Sequence, residues 1–179
     1  MKSYTLQDLL EARENRVELQ EQLRHKFNGN VLVVRVNYPG INKDNDTSRG
    51  IIKVMEKEVE ISFRNSIVHK EELSGAEGPI RIFLLEEDPI SIKKVAVKLE
   101  EEHPLGRCVD IDVYNNKGES ISRTSLGNER RKCFLCNDIA HICVREKRHN
   151  EKDVIEFITT SYKKYIQCEK GELKNEYDR

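Results

Sequence analysis

The 179-residue sequence predicts a single α+β domain, residues 1–179, in which helices flank a mixed β-sheet. Segments with the periodicity of amphipathic helices alternate with short runs rich in Val, Ile and Leu, as expected when helices pack on a sheet. Towards the middle, an Asp-x-Asp run followed by a turn containing Asn and Gly predicts a β-hairpin. A chain of this length can bury one sizeable core but is short for two ordinary domains.

The first third of the chain predicts a helix, a strand and a second helix. Thr5 is suited to cap the first helix, and Arg13 lies beside its apolar stripe, where a paired structural arginine is the favoured interpretation. Residues 31–36 form a strand that ends at a turn over residues 37–40, and residues 41–50 read as a loop containing Lys43. The expected core positions of the two helices are Leu6, Leu9, Leu10, Val17 and Leu23, then Ile51, Ile52, Met55 and Val59.

The remaining elements follow from turn and cap signals. Residues 66–78 are ambiguous, residues 79–85 predict a short apolar strand, and Asp88-Pro89 starts a helix that stops before Pro104. The later predicted elements are the Asp-x-Asp strand over 109–113, its hairpin partner over 120–124, a helix over 138–147, a final helix capped by Asn150, and a charged tail over 168–179 that is expected to fray.

Composition narrows the class of function. The net charge of −1 argues against a general nucleic-acid binder that relies on bulk electrostatics. The sequence has no apolar run long enough for a bilayer span and no secretion signal at its start. Five cysteines without such a signal indicate reduced thiols. These observations predict a cytoplasmic protein with neither nucleic-acid nor membrane partners.

The Asp-x-Asp strand is the most informative segment. Alternation places Val109, Ile111 and Val113 on one face, and Asp110 and Asp112 on the other. Neighbouring carboxylates repel each other unless a cation or basic group lies between them, and Mg²⁺ prefers a few carboxylate oxygens together with substrate phosphates. Taken alone, an Asp-x-Asp pair is more often a solvated strand face.

Basic residues flank this strand in the sequence, and they favour a binding site over a solvated strand face. A guanidinium fork such as that of Arg107 suits phosphate. Together these side chains predict an anion pocket with a metal at its floor, which favours phosphoryl or nucleotidyl transfer to a polyphosphate substrate. The residues concerned are Arg107, Arg123, Arg130, Arg131, Lys132, Arg145, Lys147 and Arg148.

A cysteine-rich stretch overlaps the basic segment. Cys133 and Cys136 have zinc-ligand spacing, and Cys143 and His149 follow them. Cys136, Cys143 and His149 could share an ion only if the chain turned tightly around Asn137. Small buried thiols in a reducing compartment are therefore the favoured interpretation, with a structural zinc as the alternative.

Several strings of residues resemble the apo-citrate lyase phosphoribosyl-dephospho-CoA transferase family, the holo-acyl-carrier-protein synthases of citrate lyase. The resemblance covers roughly residues 4–160 and is sharpest between His103 and His149. The matching residues are His103-Pro104-Leu105-Gly106-Arg107, Asp110-Ile111-Asp112-Val113, Gly118, Ser122-Arg123, Leu126-Gly127, Arg131-Lys132-Cys133, Leu135-Cys136, Ala140, Cys143, Arg145 and His149, with Leu10 to Glu14, Asn37, Pro39-Gly40 and Lys43 upstream.

The resemblance implies a nucleotidyltransferase, with a fold similar to other nucleotidyltransferases. Members of that family attach 2′-(5″-triphosphoribosyl)-3′-dephospho-CoA to a serine of the citrate lyase acyl carrier protein, the gamma subunit, forming a phosphodiester and releasing pyrophosphate. Two alternatives remain open: a related transferase serving another carrier protein, such as that of malonate decarboxylase, and a non-catalytic binding module stabilised by zinc.

The resemblance and the predicted pocket together give each site residue a role. Asp110 and Asp112 would hold Mg²⁺ and, with Arg107, form the catalytic set. Either aspartate or His103 could accept the serine proton, and the sequence does not choose between them. The residues expected to bind the substrate are Lys43, Arg123, Arg131, Lys132 and Arg145.

Overall fold

The computed structural model describes residues 4–177, and their side chains except those of residues 170 and 172–177. The α+β class is confirmed. The helices are α1 (Leu6–Phe27), α2 (Asp46–Ser62), α3 (Pro89–Glu102), α4 (Ala140–Arg145) and α5 (Glu151–Tyr177), and the strands are β1 (Asn30–Val36), β2 (Ile67–Leu73), β3 (Ile80–Leu85) and β4 (Val109–Tyr114).

The four strands form one sheet in the order β2-β3-β1-β4, and every neighbouring pair is antiparallel. The prediction of a mixed sheet is therefore wrong. Helices α2 and α3 each return the chain to a strand of the same direction, but in both cases another strand lies between the two. This split arrangement, βαββαβ from β1 to β4, is the ferredoxin-like pattern.

Apolar residues cover both faces of the sheet. One face packs against α2, α3 and α5 through Leu32, Phe83, Met55, Ile92 and Ile158. The other face packs against the C-terminal half of α1 through Leu23, together with Leu19 and Phe27. Asp110 and Asp112 alternate with three buried apolar residues of β4, as the sequence predicted.

Helix α1 begins where predicted but buries a different face. Thr5 and Asp8 form a reciprocal cap, which confirms the predicted start. Leu6, Leu10 and Val17 are 70%, 53% and 49% exposed, so most of the predicted apolar stripe is wrong. The first half of α1 is instead tied down by charge. Arg16 binds the Glu77 carboxylate at 2.7 Å, and Arg13, predicted to be a paired arginine, lies 3.6 Å from it.

Three boundaries differ from the prediction. Helix α2 starts within the expected loop, because Asn45 and Ser48 form a capping box. The ambiguous segment over 66–78 contains β2. The predicted helix over 138–147 is helical only from Ala140 to Arg145.

The Asn150 cap is confirmed, since its side chain accepts the Lys152 N–H at 3.0 Å. Helix α5 reaches Tyr177, residues 178–179 lie outside the described chain, and fraying of the tail stays a prediction.

The predicted turn after β4 is present, since the Gly118 N–H donates to the Asn115 carbonyl at 2.9 Å, but residues 120–124 do not form the predicted partner strand. Their backbone pairing with β4 is limited to a bridge between Tyr114 and Ser120 and one bond from the Ile121 N–H to the Val113 carbonyl at 2.8 Å. The reason is that side chains already occupy the outer edge of β4. Lys93 donates to the Ile111 carbonyl and Glu100 accepts the Ile111 N–H, both at 2.8 Å. These bonds satisfy backbone groups that an edge strand would otherwise leave unpaired.

Candidate active site

A cleft of about 1150 Å³ lies beside β4. Its walls are the connection between β1 and α2, the end of α3, the start of β4, residues 129–149 and the first turn of α5. Every residue predicted for the catalytic and substrate-binding sets lines it except Asp112. Arg148, which was also expected in the anion pocket, instead bonds with Asp138 and Glu146 and is not among the lining residues. The basic side chains in the lining are Lys43, Arg107, Arg123, Arg130, Arg131, Lys132, Arg145 and Lys147.

The two aspartates have different surroundings. Asp110 lines the cleft and accepts a hydrogen bond from Arg131. Asp112 accepts a hydrogen bond from Arg35 on β1, at 2.6 Å. Burial alone would lower the pKa of Arg35, but the charges of Asp112 and then Asp110 outweigh it and raise this pKa. Each carboxylate is thus compensated by a guanidinium, and each uses one oxygen for that bond.

Arg131 is held by the backbone as well as by Asp110. Its Nη1 donates to the Val109 carbonyl at 2.7 Å, and its Nη2 donates to the Gly106 carbonyl at 3.2 Å and the Arg107 carbonyl at 3.3 Å. These bonds join residues 106–110 to the basic segment across the cleft floor. Arg131 therefore fixes the geometry of the site besides contributing charge to it.

Glu100 lies buried behind this floor. It accepts the Ile111 N–H and is 3.1 Å from Nη2 of Arg123, which also lies 3.2 Å from Glu101. Burial raises the pKa of Glu100, although Arg131 and the Ile111 N–H act in the opposite direction. Arg123 is consequently anchored by two carboxylates at the cleft wall, and its charge is largely compensated within the protein.

Arg107 and Lys43 are anchored by carbonyl groups. Nη2 of Arg107 donates to the Cys133 carbonyl at 2.6 Å and to the Lys132 carbonyl at 3.2 Å. Lys43 donates to the Tyr38 carbonyl, and its pKa is lowered by burial first and then by the nearby Arg13 charge. A carbonyl does not neutralise a cation, so both side chains keep a positive charge at the cleft for an anionic ligand.

His103 lies outside this cleft. It lines a smaller cavity of about 520 Å³ between α2 and α3, and its Nδ1 accepts the Leu105 N–H at 3.0 Å. Burial lowers its pKa. Of the three proton acceptors that the sequence left open, only Asp110 is a lining residue of the basic cleft.

Among the polar residues near the site that the sequence did not predict, Arg35, Lys93 and Glu100 hold the aspartate strand in place. For each of them, a feature of the sequence could have indicated a structural role. Arg35 is the only charged residue of β1, in which the five valine and leucine residues are apolar. Lys93 and Glu100 are seven residues apart on α3, which puts them on one face of that helix, two turns apart.

The cysteine-rich stretch comes together in space. The ligand atoms of Cys133, Cys136, Cys143 and His149 all lie within 4.8 Å of one another, and three of these residues also line the cleft. The chain does turn tightly around Asn137, since the Cys133 N–H donates to the Asp138 carbonyl at 2.8 Å. Desolvation, followed by the neighbouring sulfurs of Cys136 and Cys133, raises the pKa of Cys143 to about 12. His141 is exposed and is not part of the group.

Comparison with known proteins places the chain in a family. Residues 4–165 match the family model described as apo-citrate lyase phosphoribosyl-dephospho-CoA transferase. The chain belongs to the apo-citrate lyase phosphoribosyl-dephospho-CoA transferase family. The resemblance carried by the motifs around Asp110 is thereby confirmed, and the protein is an enzyme. A non-catalytic binding module is no longer a suitable description.

Individual relatives of this transferase family agree over most of the chain. A Vibrio cholerae serotype O1 protein named "Probable apo-citrate lyase phosphoribosyl-dephospho-CoA transferase" is 31% identical over 172 residues, which is 93% of this chain and 96% of the relative. A Streptococcus pyogenes serotype M3 protein of the same name is 30% identical over 154 residues, 83% of this chain and 80% of the relative. "Protein CitXG" from Haemophilus influenzae is 30% identical over 157 residues; the match covers 86% of this chain but only 34% of that longer protein.

Proposed function

We propose that this transferase attaches 2′-(5″-triphosphoribosyl)-3′-dephospho-CoA to a serine of the citrate lyase acyl carrier protein. The serine oxygen would attack the α-phosphorus, the bond from the α-phosphorus to its bridging oxygen would break, and pyrophosphate would leave. The product is a phosphodiester. The cleft with its eight basic lining residues and Asp110 is the observation that carries this proposal.

Charge and size both support this substrate. The triphosphate gathers further negative charge on the leaving group as the bond breaks, so fixed cations at the cleft stabilise the transition state. Arg107 and Lys43 are anchored by carbonyls and so keep their charge for this purpose. Common small-molecule pockets enclose roughly 300–1000 Å³, and a cleft of about 1150 Å³ suits a long nucleotide.

Asp110 and Asp112 would hold Mg²⁺. They share one face of β4, and each uses only one carboxylate oxygen for its arginine, so both have an oxygen of the kind that Mg²⁺ prefers. When bound, the ion would offset part of the triphosphate charge. Asp110 is the better placed of the two, because it lines the cleft.

A positioned general base speeds proton transfer, and we assign that role to Asp110, because it is the one of the three candidate proton acceptors that lines the cleft. The attacking serine comes from the carrier protein, so the cleft must remain open to a second macromolecule. We place the reaction in the cytoplasm, where the five thiols of the chain would stay reduced.

The test is direct transfer followed by mass spectrometry. The protein, Mg²⁺, the triphosphoribosyl precursor and apo acyl carrier protein of citrate lyase should give a carrier heavier by one phosphoribosyl-dephospho-CoA group, with pyrophosphate released. A carrier whose acceptor serine is replaced by alanine should stay unmodified. The apo carrier protein of malonate decarboxylase, offered in parallel, separates the two acceptor classes. Faster modification of that carrier would overturn the assignment to citrate lyase.

A further inference from the structure

Residues 115–150 form a long segment with little hydrophobic support. Of its 36 residues, all of them described, only Cys133 and Cys143 are buried. The one regular helix in it, α4, has six residues. Yet this segment carries Arg123, Arg131, Lys132 and Arg145 of the cleft. A chain that buries so few apolar side chains needs another source of order, such as a disulfide or a metal.

Two distances in the cysteine cluster are close to those of a tetrahedral zinc site, and all four ligand atoms lie within 4.8 Å of one another. The Cys136 and Cys143 sulfurs are 3.5 Å apart, and Nε2 of His149 is 3.3 Å from the Cys136 sulfur. With Zn–S of about 2.3 Å and Zn–N of about 2.05 Å, a tetrahedron requires about 3.8 Å between sulfurs and about 3.6 Å between sulfur and nitrogen. The spacing is too long for a disulfide, in which the two sulfurs lie about 2.05 Å apart.

The backbone around the cluster also has the form that thiolate ligands require. The Leu135 N–H donates to the Cys133 sulfur at 3.5 Å, which stabilises negative charge on that atom. The turn that brings Cys136 back beneath Cys133 is closed by the bond between the Cys133 N–H and the Asp138 carbonyl, at 2.8 Å. Phe134 stacks on Phe157 of α5 with ring centroids 5.1 Å apart, which fixes the turn against the domain.

We propose that Cys133, Cys136, Cys143 and His149 bind one Zn²⁺ ion. Three sulfur ligands and one imidazole suit zinc, and four protein ligands leave no open position, which is the property of a structural site. The ion supports the basic wall of the cleft through two connections. The Cys133 carbonyl accepts a hydrogen bond from Arg107 at 2.6 Å, and the Arg131 carbonyl accepts the Ala140 N–H at 2.8 Å.

Metal content of the purified full-length protein tests this site. Elemental analysis should give about one zinc per chain. Replacement of zinc by Co²⁺ should produce the visible bands of tetrahedral cobalt and thiolate-to-cobalt charge transfer. The substitution Cys136→Ser should abolish tight zinc binding. His149→Cys should keep the zinc and shift the charge-transfer band, so it remains informative if Cys136→Ser fails to fold. Cys168→Ser is the matched control, because Cys168 is exposed on α5 away from the cluster.

Three results would overturn the proposal. They are a folded wild-type chain that takes up neither zinc nor cobalt with all its thiols reduced, a Cys136–Cys143 disulfide in protein purified under reducing conditions, and full zinc occupancy in a folded Cys136→Ser variant. Each is independent of the transferase assay, so failure of the zinc site leaves the proposed reaction untouched, and the reverse also holds.

Limited proteolysis tests the structural role. Trypsin can cut after Arg130, Arg131 or Lys132, and removal of zinc should raise the cleavage rate there by at least about tenfold, because local opening becomes easier. Cleavage after Lys53, on the exposed side of α2, serves as the internal control and should change much less. Equal acceleration at both places would mean that the whole domain depends on the ion, and no acceleration at either would exclude a supporting role.

Discussion

Arg35 on β1 donates a hydrogen bond to Asp112 on β4, with 2.6 Å between Nη2 and Oδ2. This bond ties the second aspartate of the Asp-x-Asp pair to the neighbouring strand. The first aspartate, Asp110, bonds with Arg131 and lines the cleft. The two carboxylates therefore have different surroundings, and we expect substitutions at the two positions to have different effects on transfer and on stability.

Asp110→Asn should reduce transfer to the carrier protein by at least about 100-fold, as expected when a charge at the reacting centre is lost. Asp112→Asn should also impair transfer, and in addition it should lower stability, because Arg35 loses its charged partner. Transfer rates from mass spectrometry and urea denaturation measure the two effects. Asp46→Asn, on the exposed first turn of α2, is the control. Wild-type transfer by either variant with Mg²⁺ present would contradict the metal assignment.

The basic residues of the cleft should divide into two groups. Arg145 is exposed, so Arg145→Ala should raise KM for the triphosphate substrate and leave Tm nearly unchanged. Arg131→Ala should also lower Tm, because four hydrogen-bond acceptors lose their donor. Steady-state kinetics and thermal melts on the same preparations distinguish the two. An unchanged Tm for Arg131→Ala would show that its backbone bonds contribute little.

Glu56 on α2 provides a prediction about pH. Burial opposes its ionisation, but hydrogen bonds from Lys70 and Arg81 outweigh this and lower its pKa below the ordinary 4.5. A carboxyl group with a lowered folded pKa contributes stability above its unfolded pKa and loses it as the pH falls through the folded pKa. Glu56→Gln should cost about 2–3 kcal/mol of unfolding free energy at pH 7, with the difference from wild type shrinking below pH 4.5.

Urea denaturation at several pH values measures this difference. Glu72→Gln is the matched control, because Glu72 also pairs with Arg81, at 2.9 Å, but is mostly exposed. Its loss should be below about 1 kcal/mol. A Glu56→Gln deficit that stayed constant down to acidic pH would refute an electrostatic origin.

Gly106 should tolerate no side chain. A Cβ at this position would overlap the Leu99 carbonyl oxygen and lie 2.7 Å from the Glu100 carbonyl oxygen, both on the backbone of α3. Gly106→Ala should therefore destabilise the domain by about 1–3 kcal/mol or more, measured by the denaturation midpoint. Gly171→Ala on α5 should be neutral or stabilising, because the added Cβ would meet no described atom outside its own stretch of helix within 4 Å. Equal midpoints for the two variants would show that α3 can shift to make room.

The sequence predicted local elements better than their arrangement. Cap signals at Thr5, Asp88 and Asn150 located helix starts, because capping depends on a few adjacent residues. The antiparallel sheet was missed, since which strand lies between β3 and β4 depends on the whole topology. The partner strand over residues 120–124 was predicted but does not form, because Lys93 and Glu100, distant in sequence, occupy the edge of β4.

In the site, too, local features could be predicted from the sequence and long-range contacts could not. The periodicity of β4 predicted the shared face of Asp110 and Asp112, and most of the expected basic residues do meet in one cleft. The arginine partners of the two aspartates could not be predicted, because Arg35 and Arg131 come from segments far apart in the chain. Closure of the cysteine cluster was underestimated for a similar reason: it depends on a tight turn around Asn137 that spacing alone does not reveal.

The side chains along the rim of β4 restrict how a second protein can approach. Lys93, Glu100, Arg131 and the Ile121 amide already occupy the hydrogen-bonding positions there. A guest polypeptide consequently cannot lengthen the sheet at this border by strand addition. If the proposed reaction is correct, the acceptor serine would instead reach the cleft on a loop or helix end of the carrier, and recognition would then depend on the shape and charge of the carrier's surface.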